Sequence, residues 1–427
     1  MNIVFATILV VAVMLSVSTA SRVLELSDRF LEIKKEGHWL LMFYAPWCAH
    51  CKRLEPVWAH VAQSLYHTNI RVGKVDCTKY TTVASTLGIS GYPTIMFLKG
   101  DEKDFVFRGD RTKDEIIHFA LRVHGPPVQQ ITRHESLDNL KATKRIFFVY
   151  VGQFEGPLWE HFYDVAERFQ PYSYFYAATH DLTKKHLAIP ELPAVFVYKE
   201  ESHYLYDGDH DPKLLNSSLT EWVNAERFAT FVKVTKGNFH QYLQTNKYLV
   251  LAVVEENKLE EIPEHHAIFR DTIKSVIMNH RDKFHRWFQF GWVATPDLAN
   301  SIAMSDIPTP YLIVVNSSTN HHHIPDDEPH TLSEDAIHDF LHSILNDTAP
   351  VYGGNSLPVK IYRTYFNART SLGEMWRGNP VLTTVLFGLP MGFLSLICYS
   401  IFCSDIMDAD EEEEVITGEE YLHEKKE

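Results

Sequence analysis

The feature that most constrains this chain is Cys48-Ala49-His50-Cys51, set behind the apolar, strand-like residues 40–44 and ahead of a helical period. Leu54, Val57, Trp58, Val61, Ala62 and Leu65 recur at i, i+3, i+4, i+7, i+8 and i+11, one face of an amphipathic helix. Pro56 lies inside that pattern, where its missing N–H kinks a helix. Two cysteines three apart on a first helical turn lie close enough to bond, so the pair can cycle between dithiol and disulfide. The free N–H groups and the positive dipole end of the helix stabilise a thiolate on the first cysteine. A zinc site would need two more ligands at a second knuckle, and no second CxxC or CxxH occurs, so no metal is expected.

Further strands are expected at 70–77, 95–98 and 105–108. Helical stretches end near Leu87 and cover 112–124, and Gly91-Tyr92-Pro93-Thr94 leads into the strand at 95–98. The order βα, β, α, ββ, α around a CxxC is that of thioredoxin. Trp47-Cys48-Ala49-His50-Cys51-Lys52, the helix proline and the Tyr92-Pro93-Thr94 turn resemble the catalytic domain of protein disulfide isomerases. That resemblance implies that Pro93 is a cis-proline facing the cysteines, X–Pro bonds being almost the only ones found cis. It also implies that Cys48 is the exposed nucleophile and Cys51 the cysteine that resolves a mixed disulfide. His50, between them, favours the Cys48 thiolate, and Trp47 flanks it. No cofactor is called for, since the cysteines carry the electrons.

The chain departs from the family pattern in two places. Ala49 stands where the family usually has Gly. Met42, six residues before Cys48, occupies the position where many members carry a buried Glu or Asp that relays a proton for the second cysteine. Lys74 matches the lysine that partners that acid, and Arg122, before Gly125-Pro126, matches the mobile arginine that assists Cys51.

The prolines reveal a repeat. Pro93 opens Thr-Ile-Met-Phe-Leu, Pro193 opens Ala-Val-Phe-Val-Tyr, and Pro310 opens Tyr-Leu-Ile-Val-Val; residues 40–44, 146–151 and 248–254 supply an upstream strand each time. The expected architecture is α/β, with three tandem thioredoxin-like domains at 21–127, 128–228 and 229–347. Only the first is catalytic, because Gly152-Gln153-Phe154 stands where the second would carry its CxxC. Phe284, Trp287, Phe288, Phe290 and Trp292 suit a core helix and strand of the third. Residues 348–380 form a stem, broken by Pro350, Gly353 and Gly354.

The two ends assign a compartment. Residues 1–20 hold an apolar run ending in Ser18-Thr19-Ala20, the form of a signal peptide cut after Ala20. Residues 381–402 carry no charge; as a helix they reach about 33 Å, enough to cross a bilayer core of roughly 30 Å. The expected topology is single-pass, type I, with residues 403–427 in the cytosol. That tail carries 11 acidic residues against Lys425 and Lys426. Its acidity runs against the positive-inside tendency, so the signal peptide must set the orientation. The sequons at Asn216, Asn316 and Asn346 all fall on the proposed lumenal side, as glycosylation would require. The chemistry of a CxxC isomerase domain places it in the endoplasmic reticulum, where disulfides form.

Smaller features are read as structural. His321-His322-His323, with His330, Asp326 and Asp327, is expected to be a solvated loop, and Cys77 a buried, inert thiol. With a formal net charge of −15, most of the excess lying in the tail, nothing marks a nucleic-acid-binding face. The expected function is that of a membrane-anchored thiol–disulfide oxidoreductase whose partners are unfolded or disulfide-containing client proteins. The alternative is a client-holding tether with slow or no redox turnover, the reading that Met42 favours.

Overall fold

The computed structural model describes residues 22–401 except 185–190, 258 and 330–331. The signal-peptide reading, the acidic tail and His330 therefore lie outside the described residues. The described residues fall into two units, the first drawn from 22–298, 309–319 and 323–350, the second from 299–308, 320–322 and 351–401.

The first unit contains one plan three times. In the N-terminal body, β1 (Leu24–Leu26), β2 (His38–Tyr44), β3 (Ile70–Asp76), β4 (Thr94–Lys99) and β5 (Phe105–Val106) form a sheet ordered β1-β3-β2-β4-β5. β2 is the centre, parallel to β3 and antiparallel to β4. Its sequence HWLLMFY is nearly all apolar because both faces are covered. Side chains alternate between the faces. Leu40 and Met42 meet Leu54, Trp58 and Phe119 from helices α1 (Ala49–Leu65) and α2 (Lys113–His124), while Trp39, Leu41 and Phe43 pack with Phe30, Val83 and Leu98. The six apolar positions expected to line α1 are buried, apart from half-buried Val57.

In the second body the order is β10-β9-β7-β8-β6, from β6 (Gln129–Gln130), β7 (Ile146–Val151), β8 (Tyr174–Ala178), β9 (Ala194–Lys199) and β10 (Ser202–Leu205). Helices α3 (Pro157–Phe169) and α4 (Leu215–Glu226) cover one face. The third body places β11 (Phe231–Lys233), β12 (Tyr248–Val253), β13 (Phe288–Val293) and β14 (Tyr311–Asn316) in the order β11-β13-β12-β14. Its core holds Phe284, Phe288 and Phe290, as expected, whereas Trp287 is 49% exposed. In each body the central strand pairs in parallel with one neighbour and antiparallel with the next, and that antiparallel strand follows a cis-proline: Tyr92-Pro93, Leu192-Pro193 and Thr309-Pro310. The three prolines of the sequence repeat are these three.

Two expectations change here. The histidine run is not a solvated loop: His321–His323 form strand β15, with His322 and His323 3% and 6% exposed. Within the second unit β15 pairs with β16 (Tyr352–Gly353), where His322 stacks on Tyr352 at 5.8 Å; in the first unit His323 Nδ1 bonds the Pro350 carbonyl at 2.9 Å. The backbone partners of an added strand outweigh the polarity of the run. The stem, read as broken, contains a 22-residue helix, α5 (Leu357–Gly378), opened by Pro358 in its first turn, where proline's missing N–H costs nothing. The uncharged segment follows as a 22-residue helical stretch, Pro380–Ile401, whose most apolar 18 residues have a mean hydropathy of 2.1.

Candidate active site

Strand β2 delivers the chain to the site and α1 begins on it. Cys48 is the N-cap of α1, with φ −73° and ψ 112°, and its sulfur accepts a hydrogen bond from the Cys51 N–H at 3.2 Å. The pair is joined as a disulfide with Cα atoms 5.3 Å apart. Once that bond is reduced, the same N–H and the helix dipole face the Cys48 sulfur and favour its thiolate. Cys48 is less open than expected: it is 6% exposed against 1% for Cys51, because Tyr44, Ala45 and Tyr92 pack around the two sulfurs. The open residue is Trp47, 72% exposed, its ring centre 6.2 Å from that of Tyr92 in an edge-to-face pair.

His50 is exposed, and its Nδ1 accepts from the Arg53 guanidinium at 2.8 Å. Arg53 escaped the sequence reading, although its i+3 spacing from His50 predicts the contact. It adds a positive charge five residues along α1 from Cys48. On the other side, the Pro93 carbonyl accepts from Arg111 Nη2 at 3.2 Å, and Thr94 Oγ1 donates to the Gly91 carbonyl at 2.7 Å. Arg111 therefore fixes the cis-proline turn, a contact across 18 residues that no local pattern signals.

Met42 is fully buried in the apolar layer beneath α1, directly opposite Lys74 in the β2–β3 register. Lys74 has carboxylates nonetheless, supplied from elsewhere in the chain. Its Nζ lies 3.2 Å from Glu25 and 3.6 Å from Glu55, and 5.3 Å from the centre of the Tyr44 ring. Burial opposes its charge, but the Glu25 hydrogen bond, Tyr44 and Glu55 outweigh that and hold the ammonium above its ordinary pKa. Tyr44 touches both Lys74 and the cysteine pair, so the polar cluster stops one side chain short of the sulfurs. A Met42→Glu variant should gain several-fold in insulin-reduction turnover, because a buried carboxylate can exchange a proton with Cys51. It should also lose about 1–3 kcal/mol of stability, since Lys74 is already paired. An unchanged or lower rate would contradict this reading of Met42.

Cys77 is buried as expected, and burial pushes its thiol up to about 11. Arg122 is placed differently from the reading by resemblance. Its Nε and Nη2 donate to the Pro171 carbonyl at 3.1 and 2.7 Å, and its guanidinium lies over Tyr174, so it clasps the second body to the first. Gln170 completes that clasp by donating to the Arg122 and Gly125 carbonyls at 2.8 and 3.0 Å.

In the second body the corresponding bend carries Gly152 and Gln153, with no sulfur. A Cβ on Gly152 would come 2.9 Å from the Pro193 Cβ, so the cis-proline turn closes directly on backbone there. Among the described residues no cluster of three metal-ligating side chains occurs.

A thioredoxin fold that sets a CxxC pair on a helix N-terminus, against a cis-proline turn, defines a thiol–disulfide oxidoreductase. Comparison with known proteins agrees. The family model described as thioredoxin matches residues 23–122, and that of the thioredoxin-like domain matches 151–343. The protein disulfide-isomerase TMX3 of Xenopus laevis is 36% identical over 401 residues, covering 93% of this chain and 86% of its own. That of Homo sapiens is 35% identical over 383 residues, covering 89% and 82%. The chain belongs to the protein disulfide-isomerase TMX3 family.

Proposed function

We propose that this chain is anchored in the endoplasmic reticulum membrane and oxidises or rearranges disulfides in folding client proteins on the lumenal side. A client thiolate attacks Cys48 Sγ, the Cys48–Cys51 bond breaks, and Cys51 leaves as a thiolate. A second client thiolate then attacks the mixed disulfide at the client sulfur, releasing the new client disulfide and the Cys48 thiolate. Two electrons pass from client to pair; isomerisation uses the same steps with the reduced pair attacking first. Arg53, donating to His50, holds positive charge on the helix that Cys48 opens, and Pro93 places the client segment.

The observation that carries this reading is the position of Cys48 at the N-cap of α1, its sulfur already accepting an N–H. In this scheme residues 21–127 do the chemistry, 128–228 and 229–347 hold clients, 348–380 connect, and 381–402 span the bilayer. A cleaved leader at 1–20 and a cytosolic tail at 403–427 complete it. The sequons differ in what their side chains do. Asn316 Oδ1 accepts from Ser318 and Thr319 of its own turn, and Asn216 contacts His161 and Arg168 on a helix. Asn346 is exposed at the C-cap of the helix Glu334–Leu345, and is the acceptor favoured by access. The fully buried Met42 favours a second reading, a holder that captures clients and turns over slowly.

A Cys51→Ala variant expressed in cells separates the two. Mixed disulfides that accumulate on the variant but not on the unmodified chain indicate turnover, and equal accumulation on both indicates a holder. Endoglycosidase treatment of the same samples should shift their mobility; a chain that never carries a glycan would contradict the lumenal orientation.

A further inference from the structure

We infer that the outward apolar stripe of α5 lies on the lipid surface of the membrane that the next helix enters, with its basic edges among the phosphate headgroups. The two faces of α5 differ sharply. Phe366 is buried at 8% exposure, and on the same unit Ser301 Oγ donates to Asn367 Oδ1 at 3.4 Å, so one side is seated on protein. The other carries Leu357, Ile361, Tyr365, Leu372 and Met375 at i, i+4, i+8, i+15 and i+18, a continuous stripe. These side chains are 72%, 63%, 60%, 42% and 37% exposed, and Trp376 beside them is 56% exposed. Such a stripe on a helix that already has a protein-facing side requires a second apolar neighbour.

Three further observations choose lipid as that neighbour. First, α5 ends at Gly378 and the apolar stretch begins at Pro380, so one end of the stripe is pinned where that stretch starts. Second, the two helices are not one rod. Asn379 between them is extended, with φ −157° and ψ 91°, and its side chain caps the second helix by accepting from the Leu382 N–H at 3.0 Å. The break frees α5 to run along a surface while the next helix enters it. Third, Lys360, Arg363, Arg369 and Arg377 face a single acid, Glu374, along α5. Lys360 and Arg369, both exposed, border the stripe on opposite edges, the arrangement of a helix lying in a headgroup layer with its basic side chains reaching to the phosphates. A second copy of the chain would bring these like charges together instead.

The inference rests on the anchored reading above, so its test must separate the two. Full-length protein is reconstituted into vesicles of phosphatidylcholine with bromine on the acyl chains. A tryptophan is introduced by Ile361→Trp in a Trp376→Phe background, and the added emission is taken as the difference from Trp376→Phe alone. Position 361 lies about 25 Å of helix from the end of α5, beyond passive contact with lipid. The added emission should lose about half its intensity to the bromolipid. Full emission in a protein that resists carbonate extraction overturns this inference and leaves the anchor standing. Release of the protein by carbonate overturns the anchored reading itself. A cross-linked dimer through position 361, with no quenching, assigns the stripe to a second copy and also overturns the inference.

Discussion

Replacing Cys48 with serine should abolish disulfide exchange, leaving only the uncatalysed rate of insulin reduction in buffer. The hydroxyl of serine retains the N-cap acceptor for the Cys51 N–H, so the start of α1 survives. It cannot form a mixed disulfide, and it is not ionised at neutral pH. Unchanged thermal stability with no activity is thus the expected pairing. Cys51→Ala should behave differently, reacting once and then holding its client, because the attacking sulfur remains and the resolving one is gone. Substantial turnover in the Cys48→Ser variant would remove Cys48 from the mechanism. Rate measurements on both variants, with unfolding curves alongside, decide the matter.

The second large effect is expected far from the cysteines. Glu226, at the end of α4 and 7% exposed, receives Lys199 Nζ at 2.6 Å, Arg281 Nη2 at 3.1 Å and His285 Nε2 at 2.5 Å. Lys199 belongs to the second body, and Arg281 and His285 to the third, so one carboxylate ties the two together. Burial opposes its charge, but the His285 hydrogen bond and the two cations hold it well below the usual carboxylate range. Glu226→Ala leaves buried Lys199 and partly buried Arg281 without their counter-charge and should cost about 3–5 kcal/mol. Glu226→Gln keeps an acceptor and should cost less. Burial also pushes His285 down from 6.5 to about 4, against the pull of Glu226.

The sign of the pH dependence follows from both shifts. An unfolded His285 takes up its proton near 6.5, while the native one remains neutral until about 4. Stability is therefore full above 6.5 and falls as pH drops toward 4, by up to about 3 kcal/mol from this group. Glu226 adds a further loss in the same direction below its ordinary value of 4.5. Thermal unfolding between pH 7 and 4 should show this decline in the unmodified chain and a shallower one in Glu226→Gln. A flat profile would contradict the assigned linkage.

Much of this was legible in the sequence. Strands buried on both faces are apolar without interruption, so residues 146–151 were bounded as they stand in β7, and the central strands β2 and β12 to within two residues. The repeat was visible because proline marks the same turn three times. The legible part of the site was the part carried by adjacent residues: Trp47 to Cys51 and Tyr92-Pro93. What was not legible depends on contacts distant in sequence. Glu25 and Glu55 reach Lys74 only once β1 and α1 are in place, and Arg111 reaches Pro93 across the end of the sheet. Arg122 gave no sign of Pro171, 49 residues away. In the stem, Pro350, Gly353 and Gly354 drew attention to a break, while the stripe that begins at Leu357 was the stronger signal.

The central claim is that the Cys48–Cys51 pair is a working redox couple and not a structural staple. The direct measurement is the equilibrium of that pair in the full-length protein against defined ratios of reduced and oxidised glutathione, read by alkylation and mass spectrometry. The account predicts a single two-electron transition at Cys48 and Cys51, at a potential near the roughly −180 to −230 mV range of lumenal and glutaredoxin-type couples. A pair that stays oxidised until the potential falls below about −300 mV, as structural disulfides do, would contradict it.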